Sequence, residues 1–160
     1  MNCKTRVTVA LVLSLIIAMS TTIFSIPVTD AADAVEIPTY LFIRAEPSPV
    51  GVGQTIYINL FLSKPTVTSG MGSTGDLYTG LTIEIVDPDG QKTTMGPYTA
   101  DATGGVGGLS FTPTKVGNYT FQGFYPGQTL TQSASSIFGP GRDYSHVTEA
   151  PSESTIDTVT

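Results

Sequence analysis

Few residues of this 160-residue chain could do chemistry, and each group of them points to a different kind. His146 is the only histidine, and Asp143 and Ser145 stand close to it. A serine, an imidazole and a carboxylate are the parts of a nucleophilic hydrolase, in which the ring takes the hydroxyl proton and the acid orients the ring. Those parts converge from separate elements, and three near neighbours in one polar loop do not reach that geometry. The expectation is an exposed loop histidine, and no catalytic residue is assigned. Asp87 and Asp89 open like a calcium loop, but the glycine comes too early, at Gly90, and the twelfth position is Tyr98 where a bidentate acid is required. The pair reads as a turn, so no metal ligand and no cofactor-binding residue is assigned. Asn118-Tyr119-Thr120 is an acceptor sequon for N-glycosylation. Strand alternation turns Asn118 outward, opposite Tyr119, although the adjacent corner restricts access. Tyr57, Phe61 and Phe124 fall on expected outer faces, where aromatics stack on sugars, dock a partner, or cover one another under a long loop.

Strands must position these side chains. The strongest signal is Phe111 to Tyr125, in which Tyr119, Phe121 and Tyr125 share one side of a period-two pattern and Thr120 and Gln122 the other. Pro113 cannot donate to a ladder, and Gly117 permits a tight corner just before Tyr119. Gly117 and Tyr119 fit a tyrosine corner, in which a tyrosine hydroxyl near the start of a strand bonds back to upstream backbone. Tyr40 to Ala45 reads as a first strand, stopped by Glu46-Pro47-Ser48-Pro49. Gln54 to Leu62 follows, with Ile56, Ile58, Leu60 and Leu62 inward. A long loop is expected at about 63–80, then a strand at Leu81 to Val86, a turn at Asp87-Pro88-Asp89-Gly90 and a return strand at Gln91 to Met95. Asp101 to Gly108 reads as a flexible turn with its four glycines. A second long loop is expected at about 126–150, with Ile137 and Phe138 as anchors in its first half, and Thr155 to Thr160 alternates as a last strand.

The first 34 residues are of another kind. Lys4 and Arg6 precede the apolar run Val7 to Met19, which is the layout of a secretory signal, and Ala32-Asp33-Ala34 offers a peptidase site with cleavage after Ala34. Because apolar character continues to Val28, an uncleaved membrane anchor is the alternative, and either outcome places the remainder outside the cell. The membrane would then be met only through this segment. Beyond the leader there is no cysteine, so the domain is expected to hold together by its core without disulfides. The formal net charge is −6 with lysines and arginines scattered singly, which excludes a phosphate-neutralising patch and with it nucleic-acid binding.

Six to eight short strands, turn signals between them and no helical period outside the leader argue an all-β fold. The expectation is an immunoglobulin-like Greek-key β-sandwich over 35–160, with an eight-stranded barrel as the runner-up. The stretches VGVGQTIYINLFL, LTIEIVDPDGQKTTMGPYTADATGG and FTPTKVGNYTFQGFYPGQTL resemble the N-terminal immunoglobulin-like domain of archaeal secreted surface proteins. Several of those continue into a β-propeller of the PQQ-binding-like type, and this chain has no propeller repeat, so no cofactor follows from the likeness. The resemblance covers Tyr40 to about Leu130 and implies a secreted or cell-surface module that contacts something else. The expected function is a non-catalytic interaction or spacer domain, truncated within its last strand, with a protein or surface-layer partner. The alternatives are a carbohydrate-binding module and an accessory domain of an extracellular enzyme.

Overall fold

The computed structural model describes residues 35–69, 75–131, 134–136, 139–142 and 144–160. The leader with Ala34, and Ile137, Phe138 and Asp143, lie outside them. Among the described residues, thirteen strands follow in order: β1 (Val35–Ile37), β2 (Leu41–Glu46), β3 (Ile56–Leu62), β4 (Thr79–Val86), β5 (Lys92–Thr99), β6 (Gly105–Phe111), β7 (Tyr119–Tyr125), β8 (Gln128–Thr129), β9 (Ala134–Ser136), β10 (Gly139–Arg142), β11 (Val147–Glu149), β12 (Ser152–Glu153) and β13 (Asp157–Val159).

Two packed sheets make the body of this all-β unit, the arrangement of a β-sandwich rather than one closed barrel. One sheet runs β2-β3-β6; the other runs β5-β4-β7, with β12 and β13 both pairing with the far side of β7. Alternation decides which face is buried. Leu41, Ile43 and Ala45 of β2, Ile56 to Leu62 at every second position of β3, and Leu81, Ile83 and Ile85 of β4 all point into one core, joined there by Tyr119, Phe121 and Tyr125 of β7. Each of the leucine, isoleucine and phenylalanine side chains among them contributes about 1.5–3 kcal/mol as an upper estimate, which offsets the entropy of ordering its strand. Gly123 completes the inward row of β7 without a side chain, because a Cβ there would lie 2.5 Å from Leu60 Cδ1 of the facing sheet. On the far edge of β2, the Ala45 N–H donates to Asp157 Oδ2 at 2.7 Å, so β13 closes that side.

Several expected boundaries are corrected. A strand, β1, precedes the expected first one, and the return strand β5 extends past Met95 to Thr99. Gly105 to Gly108 belong to β6, not to a turn; β3 needs a second partner, and that pairing overrides the entropic cost of glycine in a strand. The expected loop at 126–150 contains β8, β9, β10 and β11, each too short to show a period. There β1 pairs in parallel with β11, β11 pairs antiparallel with β8, and β9 pairs with β10. The described parts of the loop at 63–80 are anchored at Thr66, Thr68 and Tyr78 between exposed residues, and β4 begins at Thr79. Thr66, Thr68 and Tyr78 are buried, and Thr66 Oγ1 donates to the Asp76 carbonyl at 2.6 Å.

Candidate functional site

The outer face of β2-β3-β6 carries the main exposed aromatic surface among the described residues. Because Leu41, Ile43 and Ala45 face inward, Phe42, Arg44 and Glu46 must face outward, as must Tyr57, Asn59 and Phe61 on β3. Register then sets Phe42 opposite Phe61 and Glu46 opposite Tyr57. The two phenylalanine rings stack with centroids 5.4 Å apart and planes 19° from parallel. Tyr40, just before β2 and in phase with Phe42, is 60 % exposed, and Tyr57 is 64 % exposed. Arg44 and Asn59 lie between the Phe42–Phe61 pair and Tyr57 along the two strands. Polar groups flank them. Arg44 Nε donates to Glu46 Oε1 at 2.9 Å, and Arg44 Nη1 lies 3.7 Å from Asp157 Oδ1. A groove of about 500 Å³ opens beside this ion network, bordered by Pro47, Ser48 and Thr158. A shallower recess of about 160 Å³ lies between Asn59, Phe61 and Asp101.

Of the three aromatics expected as surface contacts, Tyr57 and Phe61 share this face and Phe124 does not. Phe124 is half-buried on β7, in the other sheet, where it pairs with Thr82 and Glu153. Sequence alternation gives a face to each residue but not a common sheet. Phe42 and Tyr40 were missed, although the same alternation in YLFIRA places them outward.

The corner before β7 joins two motifs that are remote in sequence. The Lys115 N–H donates to Tyr119 Oη at 3.1 Å, a bond of the tyrosine-corner kind. Lys115 Nζ also donates to Asp87 Oδ2 at 2.6 Å and Asp89 Oδ2 at 2.5 Å. The two aspartates that suggested a cation loop are thus bridged by an ammonium. Asp87 Oδ1 meanwhile accepts from the backbone N–H groups of Asp89 and Gln91, which builds the turn. Lys115, followed by the Gln91 N–H, holds the Asp87 carboxyl below its usual range. Gly117 (φ +134°) lets Pro88 of that turn sit where a Cβ would be, 2.7 Å from the Pro88 Cβ. Asn118 is exposed beside it.

Sequence reasoning missed a buried acid at the other end of β7. Glu149 is 1 % exposed on β11, and neither of its carboxylate oxygens has a side-chain hydrogen-bond partner. The Tyr125 hydroxyl is also buried and unpartnered, and Tyr78 meets the Tyr125 ring edge-on at 5.2 Å. Burial pushes the Glu149 carboxyl up. A backbone hydrogen bond from Val67, and then the charge of Lys64, pull it the other way. Burial, and then the proximity of Glu149, pushes the Tyr78 phenol up to about 12 and that of Tyr125 higher still. The only signal for Glu149 was its phase with Val147 in a three-residue strand. His146 is exposed in the turn before β11, its carbonyl accepting the Val35 N–H at 3.2 Å; Ser145 is in the same turn, and Asp143 lies outside the described residues. Among the described residues no three of the types His, Cys, Asp and Glu gather as a metal site. Comparison with protein-family models, curated proteins and solved structures yields no match.

Proposed function

We propose that this chain is a non-catalytic interaction module of the cell exterior, exported through its N-terminal segment and built on an immunoglobulin-like Greek-key sandwich. Its partner is a protein or a surface layer, met through the outer face of β2-β3-β6. The topology reading is supported by the way the chain changes sheet between β3 and β4, between β5 and β6 and between β6 and β7, and by the backward bond of Tyr119 at the start of β7. The observation that carries the function is the exposure of Tyr40, Phe42, Tyr57 and Phe61 on one face. Aromatic anchors of this kind dominate interface energetics, and truncating one typically costs about 2 kcal/mol or more of binding.

A second reading, carbohydrate binding, is favoured by the near-parallel Phe42–Phe61 pair with Arg44 and Asn59 beside it. A ring platform with hydrogen-bonding groups at its margin suits a pyranose. Purified chain would be sedimented with envelopes of its own cells, beside a Tyr57→Ala/Phe61→Ala double variant whose melting temperature is checked first. The expected result is binding that the double variant weakens at least tenfold and that protease treatment of the envelopes abolishes. Loss on periodate oxidation of the envelopes instead would replace the protein partner with a glycan. Equal binding by variant and wild type would remove this face as the contact surface.

A further inference from the structure

The row of outward positions that crosses the sheet at Phe42 and Phe61 ends on Gly105 of β6, which has no side chain. Val106 points into the core, so Gly105 and Gly107 both face outward. Phe42 therefore covers one side of the Phe61 ring, and no side chain of β6 covers the other, where the recess of about 160 Å³ opens. The fold does not demand glycine at either position. A Cβ on Gly105 would stand 3.8 Å from Thr103 Oγ1, 3.9 Å from Asp101 Oδ1 and 4.0 Å from Phe61 Cβ, all ordinary contacts, and one on Gly107 would meet nothing within 4 Å. Neither has positive φ. The bare Gly105 thus lies between an aromatic side chain and a carboxylate. Asp101 Oδ1 accepts from the Thr103 N–H at 2.8 Å and the Thr103 hydroxyl at 2.6 Å, and from the Gly105 N–H, which fixes the carboxylate in its turn. Its Oδ2 is left for an outside donor. Among the described residues Arg44, Lys92 and Lys115 each hold acids of their own, and Asp101 has no ion pair. Asn59 adds a neutral amide, and no cationic side chain lines the recess.

We propose that this recess receives an arginine side chain of the protein partner, its guanidinium lying against the side of Phe61 away from Phe42 and donating to Asp101 Oδ2. The inference rests on the reading of the β2-β3-β6 face as a protein contact surface. An aromatic face attracts a cation, and a carboxylate accepts charge-assisted hydrogen bonds from one. A guanidinium is the planar cation that can stack on a ring and donate from its edge at the same time. The formal net charge of −6 acts in the same sense, drawing a basic partner surface toward this one. A pyranose could also lie against Phe61, but it would leave the charge of Asp101 uncompensated.

The test has two readouts. In NMR titrations of the purified chain, N-acetylargininamide should shift the Phe61 ring protons and the Gly105 and Gly107 amides. N-acetylcitrullinamide, which has the same shape without the charge, should not. Asp101→Asn, which keeps an oxygen at Oδ1 for the turn, should remove the response. Methyl glycosides that produced those shifts in place of the arginine probe would overturn the proposal, and so would the absence of a shift with any of them. In sedimentation with envelopes, Asp101→Asn and Gly105→Ala should each weaken binding about tenfold, the first by loss of the charge and the second by a methyl group set between ring and carboxylate. Added salt should narrow the gap between wild type and Asp101→Asn. If both variants bound like wild type while Tyr57→Ala/Phe61→Ala did not, the arginine slot would be refuted and the face would stand as the contact surface. If the double variant also bound like wild type, both readings would fall together.

Discussion

β7 begins and ends on a buried tyrosine, and the two hydroxyls meet different fates. At its start, Tyr119 Oη accepts the Lys115 N–H, and Lys115 holds Asp87 and Asp89, so the polar groups at that end are paired with one another. At its other end, roughly 20 Å away, Tyr125 and Glu149 are just as buried and neither is paired. The same strand thus joins an end closed by hydrogen bonds to an end that packs polar groups against apolar ones. An unpaired buried polar group costs about 1–3 kcal/mol, whereas a net hydrogen bond returns only about 1. The closed end is where the structure is held; the other end is where it can be changed.

The sharpest way to break the contrast is at Gly117. Its backbone lies at φ +134°, and a Cβ would stand 2.7 Å from Pro88 Cβ and 2.8 Å from Pro88 Cγ. Gly117→Ala therefore combines backbone strain with a clash that pushes the Asp87–Gly90 turn off the corner, for about 2–5 kcal/mol of stability. Chemical denaturation should show the midpoint falling by that amount. Gly53 also has positive φ, and a Cβ there would meet nothing within 4 Å, so an equal loss for Gly53→Ala would leave the clash with Pro88 nothing to explain.

The closed end was the legible one, for physical reasons. Tyr119, Phe121 and Tyr125 alternate over seven residues, and Asp-Pro-Asp-Gly and Gly117 are residue types that few conformations other than turns and corners require. What could not be read was that Lys115 and Gly117 meet Asp87 and Pro88, since nothing local relates segments almost thirty residues apart. The open end was illegible for the opposite reason. β8 and β12 have two residues each and β11 three, too few for alternation to separate a strand from a loop. Glu149 looks like a surface residue by type, and only tertiary packing makes it a core one. The aromatic face lies between these cases. Tyr57 and Phe61 were read from the period of β3 and Phe124 from that of β7, and alternation alone gave no way to tell that the two strands belong to different sheets.

A smaller effect sharpens the same comparison. Removing one oxygen from each tyrosine tests pairing with packing held constant. Tyr119→Phe leaves the Lys115 N–H without its partner and should cost about 0.5–1.5 kcal/mol. Tyr125→Phe removes a buried hydroxyl with no partner in the structure and should be neutral or slightly stabilising. Thermal melts of the two variants beside wild type make the comparison. A loss at Tyr125 equal to that at Tyr119 would mean the two ends are alike.

The smallest expected effect concerns how the two ends answer acid. Asp87 is held below its ordinary 3.8 by Lys115, so the stability it contributes is present above that value and is lost as pH falls through its folded pKa. The linkage at Glu149 runs the other way, from 4.5 upward. The chain should therefore be most stable in the narrow interval between, with an acid limb shared by Asp87 at the corner and Asp101 in its own turn, held low by Thr103, and an alkaline limb that belongs to the buried end. Lys115→Met isolates the corner's share of the acid limb. The ion pairs it removes are exposed, so the change at neutral pH is slight and shrinks further in salt. Below pH 3.8 wild type and variant should converge, while the alkaline limb stays as it was. If Lys115→Met altered the alkaline limb instead, the two ends would be coupled through β7 and the comparison drawn between them would fail.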